Sequence, residues 1–171
     1  MPRRMVYDVD VEVPAAVMYR EFTTIGYWED LVVFYRENSA NAEIAHFASD
    51  ETGTDIAFSH IISANDLPAI ARPVVPSTFV ITREQHFEPF EHATQRAAGS
   101  YRAQVPVAPV DIRGDYLLTD HGTGSRMRLQ TTCTARVPII GGQIEQLIVN
   151  GLQTLFAQEG EFTADWIGGH R

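Results

Sequence analysis

Residues 142–167 read GQIEQLIVNGLQTLFAQEGEFTADWI. Ile144, Leu147, Ile148, Leu152, Leu155, Phe156, Phe162 and Trp166 fall on i, i+3 and i+4 spacings. That period predicts one amphipathic helix from Gly142 to Ile167. At 1.5 Å per residue the helix is roughly 38 Å long. Leaving its eight large apolar side chains in water would forfeit on the order of 12–24 kcal/mol. The helix must therefore lie against a sheet. Pro138-Ile139-Ile140-Gly141-Gly142 marks the break at which the period of the chain changes from two to 3.6.

Upstream of that break the chain alternates. In 125–137 Met127, Leu129, Thr131, Cys133, Ala135 and Val137 face one way, and Arg126, Arg128, Gln130, Thr132, Thr134 and Arg136 the other. This is a strand with one wet face. Phe79–Phe87, Thr94–Val105 and Val110–Thr119 read the same way, with a His121-Gly122-Thr123-Gly124 turn before the last strand. Ala42–Ser49 and Asp55–Ser63 are two further strands across a polar turn containing Gly53. Residues 64–77 carry Pro68, Pro73 and Pro76, a density that excludes a central strand and predicts a loop with one helical turn at its start. At the beginning, Met5–Val13 alternates as a strand, Pro14 opens a helix running to Phe22, and Gly26–Tyr35 forms a second short helix.

Short turns between successive strands require antiparallel pairing. Seven twisted strands with one apolar face curl around whatever fills that face. The expected fold is α+β: a seven-stranded antiparallel curved sheet gripping a long C-terminal helix, with two short helices after strand 1. One domain covers residues 1–171.

The residues then resemble a family. The opening strand with Pro14, Tyr27-Trp28, Asn65-Asp66-Leu67-Pro68, Arg83-Glu84, Gly99-Ser100 and above all Val137-Pro138-Ile139-Ile140-Gly141-Gly142 are similar, in order and spacing, to DUF2505. That is an actinobacterial family of the START-like, Bet v 1-like or polyketide cyclase-like (SRPBCC) superfamily, with its helix-grip fold. Phe87 stands where the resemblance implies a tryptophan, and the 68–76 proline segment is unusual for it. The superfamily binds sterols, lipids, polyketides or hormones between sheet and helix, and some members catalyse cyclisation or dehydration there. The resemblance carries over no catalytic residue.

Composition narrows the chemistry. Of 171 residues, 22 are acidic and 13 basic, a net charge of −9. An acidic chain lacks the basic footprint that nucleic acid or an anionic membrane requires. Every basic residue is arginine. P-loop, Schiff-base and Ser-Lys chemistry are thereby excluded. Cys133 is the single cysteine, so neither an intramolecular disulfide nor a cysteine-rich metal site can form. Met1-Pro2-Arg3-Arg4 is followed by Asp8, Asp10 and Glu12 instead of an apolar run. No signal peptide, membrane insertion or cofactor is expected, and the location is read as cytoplasmic, as monomer or homodimer.

By alternation the helix-facing side of the sheet carries Phe58, His60, Arg83, Gln85, Phe87, Tyr101, Tyr116 and Met127. With Leu152 and Phe156 from the helix, these are the candidate ligand-binding residues. Ala97, Gly99, Ala103 and Gly114 on the same face leave room for a pocket unless other groups close it. Arg83 would bind a ligand carboxylate or enolate, or pair internally with Glu161 or Asp165. His60 and His46 come within about 7 Å if Ile44 pairs with His60. Tyr101 and Tyr116 could polarise a ligand carbonyl, or satisfy their hydroxyls locally. Cys133 reads as a structural thiol, and Gly141-Gly142 as a tight strand-to-helix turn. His86 points outward, and His92, His121 and His170 fall in turns or the tail. The leading functional reading is a carrier or sensor of a small apolar or lipid-like molecule. A cyclase or dehydratase using Arg83, a tyrosine and His60 is the second. An interaction module exposing Tyr27, Trp28 and Phe34 over a vestigial cavity is the third.

Overall fold

The computed structural model describes residues 2–38, 41–105 and 108–169. Its elements are β1 (Arg3–Val11), α1 (Ala15–Phe22), α2 (Ile25–Asn38), β2 (Asn41–Asp50), β3 (Gly53–Ser63), β4 (Thr78–Phe87), β5 (Arg96–Gln104), β6 (Val110–His121), β7 (Gly124–Ala135) and α3 (Gly141–Gly169). The strands form one antiparallel sheet in the order β1-β7-β6-β5-β4-β3-β2. The helix-grip architecture expected from the sequence is present. The 64–77 segment holds two short 3-10 turns, Ala64–Asp66 and Arg72–Val74, where one was expected. His170 lies outside the described residues. No helix among the described residues is long and apolar enough to cross a membrane.

Local chemistry explains the junctions. Pro14 accepts the first helical bonds of α1 from Val17 and Met18. The Ala15 N–H is capped from a distance: Asp120 Oδ1, at the far end of β6, accepts it at 2.8 Å. β7 stops two residues before the alternation does, at Ala135. Its N–H donates to the buried Glu145 carboxylate at 2.8 Å, which ties the strand end to the first turn of α3. Gly141 is required there, since a Cβ would stand 2.6 Å from the Ala135 carbonyl oxygen. β1 is clipped to β7 by two forked arginine–aspartate pairs, Arg126 with Asp10 and Arg128 with Asp8.

The concave face is shared between two helices. α3 packs against β1 and β7, whereas α2 covers β2. From the sequence α3 alone is expected to fill the whole face. What α2 adds is its own apolar stripe: Tyr27, Trp28, Leu31, Val32 and Tyr35 are all buried. The exposed aromatic patch expected from Tyr27, Trp28 and Phe34 is therefore absent. Trp28 meets Phe22, Tyr27, Phe58 and Phe87, and Phe34 packs on Phe162.

Candidate functional site

All the candidate side chains on the sheet face inward. Phe58, Arg83, Gln85, Phe87, Tyr101, Tyr116 and, from α3, Phe156 are buried; His60, Met127 and Leu152 are half-buried. Strand register brings most of them together. Phe58 pairs with Arg83, Gln85 with Tyr101, Phe87 with Gly99, and Gly99 with Tyr116. Leu152 stays at the edge of the group, one turn of α3 before Phe156.

Arg83 is the centre. It is 4 % exposed, and its guanidinium lies over the Phe58 ring, 5.1 Å from the centroid. Nη2 donates to Glu159 Oε1 at 2.7 Å and to the Tyr35 hydroxyl at 3.0 Å. Tyr35 in turn donates to the same Glu159 oxygen. With the Gln85 amide oriented to suit both neighbours, its oxygen accepts from Arg83 Nε at 3.0 Å and its nitrogen donates to the Tyr116 hydroxyl at 2.8 Å. Tyr116, Gln85, Arg83, Tyr35 and Glu159 thus form one polar chain through an apolar interior. Arg83 Nη1 is buried and has no hydrogen-bond partner among the described residues. An unused donor of this kind carries a desolvation cost of about 1–3 kcal/mol.

The internal partner of Arg83 is Glu159, not Glu161 or Asp165, both of which are exposed. Helical arithmetic explains the correction. Glu159 follows Leu155 by four and Phe156 by three and so lies on the apolar face, whereas Glu161 and Asp165 fall off it. Tyr35 was legible by the same rule, seven residues after Trp28 and four after Leu31. Burial disfavours charge on both partners. It pushes the Glu159 carboxyl up and the Arg83 guanidinium down; their 2.7 Å contact opposes both shifts and holds the pair ionised.

The histidine pair is corrected too. The pairing of Asp50 with Gly53 at the turn and a bulge between Ile44 and His46 each move the register by one residue from that expectation, so Ile44 pairs with Phe58 and Ala42 with His60, while His46 sits opposite Ala57 and is exposed. His60 instead lies edge-on to Tyr35, with centroids 5.2 Å apart. Burial, with Arg83 nearby, lowers its imidazole to about 4. A base depressed from 6.5 to about 4 gives stability that is complete above pH 6.5 and lost as the pH falls towards 4. The loss is roughly 3 kcal/mol. The raised Glu159 carboxyl acts in the opposite sense across the same range. The prediction is therefore a difference: urea titrations of wild type and His60→Gln should diverge by that amount between pH 7 and 4. Parallel profiles would show that His60 is not held neutral by the fold.

The hydroxyls are satisfied locally. Tyr101 bonds to Thr131 and Tyr116 to Gln85. Burial raises both phenols, Tyr101 to about 12. Cys133 is fully buried and its thiol is pushed up to about 12, so it is unreactive. No cluster of His, Cys, Asp and Glu able to hold a metal ion occurs among the described residues.

The small residues do not leave the hollow expected of them. A Cβ on Gly114 would stand 2.1 Å from the Tyr101 ring, and one on Gly99 would stand 3.3 Å from that of Phe87. Aromatic neighbours lie across the glycines and fill the space. A cavity of about 60 Å³ survives beside Trp28, Phe87, Tyr116, Met127, Phe156 and Glu159.

The DUF2505 family, described as "protein of unknown function", matches residues 6–167. An uncharacterised protein of Mycobacterium tuberculosis is 29 % identical over 98 % of both chains. A START superfamily protein from Mycobacterium smegmatis superposes with a TM-score of 0.55 at 11 % identity, over 95 % of this chain and 98 % of that one. Norcoclaurine synthase from Thalictrum flavum, solved with dopamine and hydroxybenzaldehyde, gives 0.60 at 12 % identity, over 100 % of this chain and 89 % of that one. At such identities these structures speak for the fold alone.

Proposed function

Because the chain belongs to the DUF2505 family and has the START-like fold, we propose that it binds a small, mainly apolar molecule between the sheet and α3, with Arg83 anchoring an oxygen of that molecule. The role is that of a carrier or sensor. The observation that carries this reading is Arg83 Nη1, a buried charged donor without a partner among the described residues. A ligand carbonyl or carboxylate oxygen would satisfy it. The cavity of about 60 Å³ is far below the roughly 300–1,000 Å³ of ordinary small-molecule pockets. A ligand of more than a few heavy atoms enters only as Phe156 and the α3 segment bearing Glu159 move aside.

Native mass spectrometry of freshly purified protein should find a retained small molecule. A thermal-shift panel of fatty acids, sterols and aromatic polyketides should contain at least one stabilising compound. Arg83→Gln should weaken its binding by about tenfold or more. An empty protein that no compound stabilises, or an Arg83→Gln protein that binds as wild type does, would sink the reading.

The cyclase or dehydratase reading draws support from norcoclaurine synthase, which shares the fold. Against it stands the arrangement of its own candidates: Arg83 is closed on Glu159, and both tyrosine hydroxyls are occupied.

A further inference from the structure

The turn between β7 and α3 presents a side chain that the fold does not use. Ile139 is 102 % exposed, and its backbone stands at φ +72°. A β-branched residue enters that region only under strain. Asparagine or glycine would occupy it at lower cost. The Ile140 N–H donates to the Pro138 carbonyl at 2.8 Å and the Gly141 N–H to the Val137 carbonyl at 2.9 Å, so the turn holds that backbone, but the solvated isoleucine side chain adds no packing to it.

Three arginines lie close to this tip in the chain or in the sheet, Arg4 and Arg136 exposed and Arg3 half-buried. Arg136 precedes Ile139 by three residues. Arg3 Nη2 donates to the Gly142 carbonyl at 3.3 Å, just beyond it. Arg4 lies next to Arg3 and pairs with Thr132 of β7. None of the three makes an ion pair among the described residues. The chain as a whole carries −9, so this concentration of unpaired positive charge runs against its average. Whole-chain acidity weighs against an anionic surface, but screening limits its reach to about 8–10 Å, and the acids at this end of the sheet are engaged, Asp111 by Arg113 and Glu145 by the Ala135 N–H. The pairs Arg3 with Cys133, Val110 with Ala135 and Ser63 with Thr78 place the tip at the end of the sheet where the 64–77 connection also lies.

We propose that this tip docks reversibly on an anionic lipid bilayer, Ile139 entering the boundary between headgroups and acyl chains while Arg3, Arg4 and Arg136 meet lipid phosphates. An exposed apolar side chain with arginines near it is the composition of an interfacial anchor. One inserted side chain with three charges gives weak, salt-sensitive binding and not insertion. The proposal is independent of the ligand reading and survives its failure.

Co-sedimentation with vesicles tests it. Wild type should bind phosphatidylcholine vesicles containing phosphatidylglycerol, bind pure phosphatidylcholine poorly, and release as salt is raised. Ile139→Asn should lose about tenfold or more of that binding. Arg4→Gln and Arg136→Gln should each lose about fivefold. Asparagine tolerates positive φ, so the Ile139→Asn melting temperature should equal or exceed that of wild type, and lost binding cannot then be put down to unfolding. Absence of wild-type binding, equal binding to neutral vesicles, or an Ile139→Asn protein that binds unchanged would overturn the proposal. So would gel filtration showing that Ile139→Asn only converts a dimer to monomer.

Discussion

Glu159→Leu should destabilise the protein by about 3–5 kcal/mol, the cost of leaving a buried charge without its counter-ion. Arg83 would keep Tyr35 and Gln85 but lose its only carboxylate among the described residues. The reciprocal change is milder. In Arg83→Leu the orphaned Glu159 carboxyl, 20 % exposed and already raised by burial, can take up a proton. A cost of about 1–3 kcal/mol follows. The double variant Arg83→Leu, Glu159→Leu puts apolar groups in both places and should lie within roughly 2 kcal/mol of wild type. Urea unfolding of the four proteins checks this. The decisive quantity is the coupling between the two sites, which should be large and favourable. Additive costs would show that the pair is not the desolvated unit described above. The same experiment bears on function. A double variant that is stable yet fails to bind any ligand that wild type binds would identify the pair as kept for recognition and not for folding.

That pair marks where the sequence stopped being readable. The strands were legible because alternation was clean: Met127 to Ala135 on one face and Arg126 to Thr134 on the other follow directly from the period of a pleated strand. α3 was legible for the corresponding helical reason. Inward residues such as Arg83, Tyr101 and Tyr116 then followed from counting by twos. Two things did not follow. The β2–β3 register depended on the pairing of Asp50 with Gly53 at the turn and on a bulge between Ile44 and His46, and the composition of that strand carries no sign of the bulge. Occupancy of the hollow depended on how aromatic rings lie over glycines. Gly99 and Gly114 look like empty space in a one-dimensional reading, yet in the fold they admit Phe87 and Tyr101. Glu159 is a different kind of miss. Its helical position was available to arithmetic, and only its charge kept it off the apolar face.

Phe156→Ala should cost about 3–5 kcal/mol, because the ring is central to the closure of the hollow. It is 2 % exposed, tilts against Tyr7 with centroids 6.0 Å apart and meets Tyr101 edge-on at 6.2 Å. It also forms one wall of the existing cavity of about 60 Å³, so truncation would join new space to old without an easy route to collapse. For a chain of this size the loss corresponds to a fall in melting temperature of roughly 6–20 °C. Phe156→Leu keeps most of the volume and should cost less than about 1.5 kcal/mol. A dry apolar cavity of this origin takes up small aromatic molecules. Saturating benzene should therefore raise the melting temperature of Phe156→Ala while leaving wild type unchanged, through linkage of binding to folding. A loss below 1 kcal/mol would mean that α3 does not seal the concave face through this ring. A large loss without benzene rescue would mean that the sheet and α3 close up when Phe156 is truncated. The interior would then be plastic enough to open for a ligand by the same movement.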